Sequence, residues 1–188
     1  MTPTGPTYER YEGTEAAEQL DTFVAAYEEV YAEPPYREGP RDVAEFIEHY
    51  QVHARRAGMR LVIARDGDQV IGFTYGYLLP ADSQWWNNVR EDLPDEFTAE
   101  DGTRTWVILE LAVRKEWRRL GVAAGLHTLL LEGLTVERVT LTVRPEPEAK
   151  AAQSAYATWG YREVGLSHPW DEAPFYTAMV LDLGQPTT

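Results

Sequence analysis

Arg118-x-x-Gly121-x-Ala123 lies directly behind the strand-like run Thr105-Trp-Val-Ile-Leu-Glu-Leu-Ala-Val113, and a helical segment follows at once. A small-residue turn that opens a helix after a strand leaves backbone N–H groups pointing outward without intrahelical acceptors. Those donors and the positive end of the helix dipole suit a phosphate or pyrophosphate, and glycine lets the ligand reach the backbone. The turn is no Walker loop, because no Gly-Lys-Ser/Thr follows, and the chain has no G-x-G-x-x-G fingerprint. Between Leu111 and Leu131, Arg114, Lys115, Arg118 and Arg119 face a single acid, Glu116, a local charge of +3 in a chain of net charge −14. A solvated helix entrance explains such a run. Beside an exposed amide cluster, a polyanionic ligand is the preferred reading.

Glu110 interrupts an otherwise apolar strand. Burying a carboxylate is unfavourable unless it is paired or borders a wet cleft. Two explanations fit: an internal hydrogen bond or arginine partner, or a general base of raised pKa. His49 and His53 have the i, i+4 spacing of zinc ligands, but no third ligand is arranged with them, so a solvated helix face is expected and no metal site is predicted. None of Ser83, Ser154 and Ser167 lies in a G-x-S-x-G elbow. His127 reads as a packing or surface residue. The absence of cysteine excludes disulfides, thiolate zinc sites and a cysteine nucleophile.

These residues need elements to position them. An edge strand is expected near Tyr8–Tyr11, with 1–6 and 184–188 as flexible tails. Thr14 is read as the N-cap of a helix over Glu15–Tyr31, which Pro34-Pro35 ends. A second helix follows Gly39-Pro40 and runs to Ala57-Gly58, with Val43, Phe46, Ile47, Tyr50 and Ala54 inward. A hairpin joins Arg60–Ala64 to Val70–Leu79 around Asp66-Gly67-Asp68. A long loop spans Pro80 to Arg104 and holds Trp85, Trp86 and the acids Glu91, Asp92, Asp95, Glu96, Glu100 and Asp101; such a length implies function or mobility. Beyond the central strand come a helix at Gly121–Gly133, a strand at Arg138–Val143, a helix at Pro147–Trp159, and strands at Tyr161–Gly165 and Phe175–Leu183. The pattern predicts one α/β (α+β) domain over 1–188, a mixed, mostly antiparallel sheet covered by helices on both faces.

At 188 residues and 44% hydrophobic content, the chain can bury a substantial core. Its net negative charge argues against a nucleic-acid partner. It has no leading apolar segment and no run long enough to span a bilayer, so a cytoplasmic protein without a membrane partner is expected.

The run Leu109-Glu-Leu-Ala-Val113, then Arg118-x-x-Gly121-x-Ala123, then Ala155-Tyr156-x-x-Trp159-Gly160-Tyr161-Arg162-Glu163-Val164 resembles the GNAT superfamily of N-acetyltransferases. Both family signatures occur in order, and the element order across nearly the whole chain is similar. The resemblance implies acetyl-CoA, or another acyl-CoA, as co-substrate, held in a splay between the central strand and the next. Leu111, Ala112 and Val113 would meet the pantetheine arm. Backbone amides of Arg118, Arg119, Leu120, Gly121, Val122, Ala123 and Ala124 would hold the pyrophosphate. Lys115 stands where many members carry proline, and Ala149 where many carry asparagine.

In this family an acid on the central strand often deprotonates the amine, which gives Glu110 the base role, and a tyrosine at the position of Tyr156 protonates the departing thiolate. A phenol of reference pKa about 10 can donate to a thiolate whose conjugate acid is about 8.5. Without a cysteine, direct transfer in a ternary complex to a primary amine of a small molecule or peptide is expected. Trp85, Trp86, His168 and Trp170 are candidates for lining the acceptor site, and the acidic loop hints at a cationic acceptor. A homodimer is left open. Two rival readings are a GNAT-fold CoA-binding or regulatory module without turnover, and an unrelated anion-binding α/β domain.

Overall fold

Strand-forming and amphipathic runs alternate along the chain, and the computed structural model, which describes residues 5–184, follows that alternation. The order is β1 (Thr7–Glu12), α1 (Gly13–Ala17), α2 (Leu20–Tyr31), α3 (Pro40–His53), β2 (Arg60–Asp66), β3 (Gln69–Leu78), α4 (Asp95–Thr98) and β4 (Thr105–Val113), then α5 (Val122–Leu131), β5 (Arg138–Val143), α6 (Lys150–Thr158), β6 (Arg162–Ser167) and β7 (Tyr176–Asp182). The strands form one mixed, mostly antiparallel sheet, ordered β1-β2-β3-β4-β5-β7-β6 and flanked by helices. The parallel step is β4 to β5, in register over Thr105↔Arg138, Trp106↔Val139 and Val107↔Thr140. Among the described residues, no helix is long and apolar enough to cross a membrane. Of the expected tails, residues 1–4 and 185–188 lie outside the described residues; Gly5, Pro6 and Gly184 flank β1 and β7.

The described residues gather into two compact units. The first contains everything up to Tyr77 together with Ile108–Leu134, and the second contains Leu78–Val107 and everything from Thr135 onward. The units interleave along the chain and share β4, so no linker segment marks them in the sequence.

In the first unit, α2 buries Phe23, Ala26, Tyr27, Val30 and Tyr31, the stripe expected of a helix lying on a core. α3 adds Phe46 and Tyr50. Tyr27 stacks on Phe46 at 3.7 Å between ring centroids, and Phe23 meets Tyr50 edge-on at 5.0 Å. The helix expected over Glu15–Tyr31 is two helices. Thr14 is not its N-cap: α1 starts at Gly13 behind Glu12, without a side-chain cap. The carbonyl of Ala16 accepts the Tyr50 hydroxyl at 2.6 Å and the Gln19 N–H at 3.2 Å. That three-residue bond tightens the chain, and α2 restarts at Leu20.

Helix α5 packs through Val122, Leu126 and Leu130. Gly125 lets it lie against β1, since a Cβ there would stand 2.4 Å from the Tyr8 hydroxyl oxygen. Two arginines meet its C-terminal carbonyls: Arg10 donates to those of Leu129 and Glu132, and Arg60 to those of Leu130 and Glu132.

In the second unit, the segment expected as a long loop has structure of its own. It forms a short turn at Trp86–Asn88 and the helix α4, and it bridges to the end of β6 through Val89↔Ser167. Glu91 accepts the Leu166 N–H at 2.7 Å, and Asp101 accepts the Thr103 N–H at 2.8 Å. Glu100 and Arg138 form a buried ion pair at 2.9 Å, their side chains 1% and 2% exposed. The same oxygen of Glu100 also accepts the Trp86 indole N–H and the Thr105 hydroxyl, each at 2.7 Å.

Candidate active site

Glu110 sits on the half of β4 that belongs to the first unit, with Thr74 of β3 donating its hydroxyl to the Glu110 carbonyl at 2.7 Å. Its side chain enters the aromatic wall made by α2. By surface area Glu110 is only partly covered, yet its carboxyl is surrounded by enough protein to lose its hydration. Oε2 accepts a hydrogen bond from the Tyr31 hydroxyl.

Three effects act on the carboxyl. Burial disfavours the charged form, the Tyr31 hydrogen bond favours it, and the negative charge of Glu38 disfavours it. Burial wins, and the pKa is pushed up to about 8. The arginine partner allowed by the sequence is not what acts on it; the neighbouring charge is another carboxylate. Burial and the negative charge of Glu110 push the Tyr31 and Tyr75 hydroxyls up as well, so both stay protonated.

The turn after β4 approaches α5 through two left-handed residues, Arg119 (φ 62°) and Gly121 (φ 83°). Gly121 is the N-cap, and a Cβ built there would meet nothing within 4 Å, so the backbone is open on that side. The Gly125 N–H donates to the Gly121 carbonyl at 3.0 Å and closes the first helical turn. The N–H groups of Val122, Ala123 and Ala124 precede it and have no acceptor within the helix. The helix has no side-chain cap at this end and no acid in its first turn. Its negative end meets two arginines, while its positive end faces outward, a charge pattern suited to a phosphate. The turn therefore fits the pyrophosphate of an acyl-CoA.

Arg118 departs from the expected donor set. Its N–H donates to the Lys115 carbonyl at 3.3 Å. Its guanidinium forms a two-pronged pair with Glu33, both bonds 2.9 Å, and its Nε donates to the Val113 carbonyl at 2.9 Å. Arg114 pairs with Glu29. The local charge of +3 is thus partly cancelled by acids of α2 and the residues just after it. Arg118 ties the turn to Glu33 and to the end of β4, and Arg119, Leu120 and Gly121 are exposed beside it. Leu111, Ala112 and Val113 form the end of β4, with Ala112 and Val113 buried.

Tyr156 lies on α6 in the second unit, 8% exposed, its ring edge-on to Trp159 at 5.7 Å and to Tyr161 at 5.6 Å. Ala149, at the start of that helix, is buried. Of the four acceptor candidates, Trp86 is a core residue, 4% exposed, bonded to Glu100 and edge-on to Phe97. The Trp85 indole N–H donates to the Thr140 hydroxyl at 3.2 Å. His168 stacks on Phe175 at 4.5 Å, and Trp170 is 59% exposed. His49 and His53 have ring centroids 6.2 Å apart, and burial lowers the His53 pKa to about 4. Among the described residues, no group of three or more His, Cys, Asp or Glu is placed to hold a metal ion.

The sequence reading does not single out Tyr31, Tyr27 or Glu38, which the structure places around the Glu110 carboxyl. The tyrosine hydroxyls carried the signal: two phenols at i, i+4 on a buried face each need a polar partner.

The acetyltransferase (GNAT) family model matches residues 18–161, and the chain belongs to that family. No curated protein matches its sequence. Solved structures share the fold at low identity. PH1933 from Pyrococcus horikoshii OT3 is 16% identical with a TM-score of 0.64, over 95% of this chain and 99% of that one. The PaiA N-acetyltransferase of Thermoplasma acidophilum, solved in complex with coenzyme A, is 13% identical with a TM-score of 0.60, over 94% and 99%. An aminoglycoside acetyltransferase, HMB0005, from an uncultured soil metagenomic sample is 19% identical with a TM-score of 0.60, over 90% and 100%.

Proposed function

We propose that this protein is an acetyl-CoA-dependent N-acetyltransferase that transfers the acetyl group directly to a primary amine, with Glu110 as general base. The observation that carries this reading is the desolvated Glu110 carboxyl, with its pKa pushed up to about 8, on the strand that leads into the open α5 turn. A base whose pKa lies near the working pH combines a populated basic form with strong proton affinity.

Residues Arg119–Ala124 bind the pyrophosphate through backbone N–H groups, and the backbone of Leu111–Val113 pairs with the pantetheine arm. Glu110 takes one proton from the substrate ammonium. The neutral amine attacks the thioester carbonyl carbon, a C–N bond forms and the C–S bond breaks. The nitrogen sheds its second proton to solvent, and the departing thiolate takes a proton from a donor restored from solvent, the part that the family resemblance gives to Tyr156. The PaiA enzyme's complex with coenzyme A supports the choice of donor by analogy of fold.

The test is a panel of primary amines assayed for released CoA thiol with acetyl-CoA, on the wild type, Glu110→Gln and Tyr156→Phe. Release by the wild type that falls in both variants is the expected result. If acetyl-CoA raises the melting temperature but no amine releases thiol, the chain is a CoA-binding module instead.

A further inference from the structure

The hydrogen bond to the Glu110 carboxyl comes from a helix 79 residues earlier in the chain, through the Tyr31 hydroxyl. Tyr31 is held firmly. It is 7% exposed, its ring centroid lies 4.4 Å from that of Tyr27, and Tyr36 meets it edge-on at 4.7 Å. A ring packed on two sides delivers its hydroxyl to one place. One helical turn earlier, Tyr27 gives its hydroxyl to Glu38 at 2.6 Å. Two tyrosines on one face of α2 therefore hold two carboxylates, one on β4 and one just ahead of α3.

Resting on the assignment of Glu110 as the base, we propose that Tyr31 is a positioning residue for the reaction: its hydroxyl clamps Oε2 of Glu110 so that Oε1 faces the amine, while the Tyr27–Glu38 pair keeps a second negative charge nearby that strengthens Glu110 as a proton acceptor. A carboxyl free to turn would present either oxygen, and fixing it removes that orientational freedom before the proton moves. The two devices pull in opposite directions. The Tyr31 hydrogen bond favours the charged carboxylate, and the Glu38 charge disfavours it.

The groups facing Glu110 are few in kind. From α2 come Tyr27 and Tyr31. The segment before α3 brings Glu38, with Asp42 of α3 acting on it, while Tyr36 packs on Tyr31; β3 brings Tyr75, whose hydroxyl meets His53 Nδ1 at 3.2 Å. The tyrosines stay protonated because burial and neighbouring charge raise them. His53 is neutral near pH 7, since burial lowers it to about 4. Glu38 is left as the charge that modulates Glu110.

The experiment is the pH profile of kcat/KM for thiol release, with acetyl-CoA and the best amine of the panel, on the full chain as wild type, Tyr31→Phe, Glu38→Gln and Glu110→Gln. Phenylalanine keeps the ring and its packing. Loss of the hydroxyl moves the acid limb to higher pH by about one to two units, the worth of a hydrogen bond to a charged group. Glu38→Gln moves the same limb the other way, by roughly half a unit. Opposite shifts support the proposal, because damage to packing lowers the amplitude and leaves the limb in place. An unmoved limb in Tyr31→Phe overturns it, and if that variant does not fold, an unmoved or alkaline-shifted limb in Glu38→Gln does so. Full turnover in Glu110→Gln, or no release with any amine, overturns the assignment of the base itself.

Discussion

The molecule buries two glutamates within ten residues of each other in sequence, and it treats them in opposite ways. Glu100, in the second unit, meets a guanidinium, an indole N–H and a hydroxyl, all on one oxygen. Glu110, in the first unit, is offered a single phenol and a neighbouring carboxylate. A carboxylate surrounded by a cation and donors is anchored, and it anchors them in turn: Arg138 also donates to Thr105 and to the Phe97 carbonyl. A carboxyl stripped of water and given no cation exchanges a proton near neutral pH. If Glu110 is the base, as proposed, what separates scaffold from chemistry is the identity of the partners more than the burial.

The sharpest way to break this contrast is Glu110→Gln. Turnover should fall by about 10²–10⁴-fold, the usual contribution of a general base, while acetyl-CoA still raises the melting temperature. A variant that keeps wild-type kcat would make Glu110 as structural as Glu100. Arg138→Met probes the other side. It strands Glu100 without its cation and should lower unfolding stability in urea by about 3–5 kcal/mol. Little change would mean that the pair adds nothing to the scaffold.

Stability against pH sharpens the contrast further. The folded-state pKa of Glu110, about 8, lies above its ordinary 4.5. The folded state holds that proton more tightly, so this group's stabilising share is complete below about pH 4.5 and is lost as pH rises through 8. Wild type should therefore lose a few kcal/mol across that window that Glu110→Gln does not lose. Parallel curves for the two proteins would contradict the environment described for Glu110. The smallest effect belongs to the turn. Gly121→Ala forces a side chain into φ 83° and should cost about 1–3 kcal/mol of stability. Because the new methyl group meets no protein atom, its further effect should be weaker acetyl-CoA binding, read by calorimetry.

Much of this was legible in the sequence, for local reasons. β4 and β5 fall on the expected residues because continuous β-branched and apolar runs leave little choice, and the glycine that opens α5 marks its own position. The break between α1 and α2 was hidden, since an apolar stripe carries on across a two-residue interruption. The local charge of +3 misled for a different reason: its cancelling acids, Glu29 and Glu33, lie 85 residues from the arginines they pair with. A separation of 79 residues concealed Tyr31 as the partner of Glu110. Composition showed the loop's acids but not that Glu100 turns inward, or that Trp86 belongs to the core.

The central claim, that Glu110 is poised to exchange a proton near neutral pH, is tested most directly by carbon NMR titration of the glutamate side-chain carboxyls. The account predicts a resonance with a midpoint near 8 that disappears in Glu110→Gln. A Glu110 resonance titrating in the ordinary carboxylate range, near 4 to 5, would contradict it.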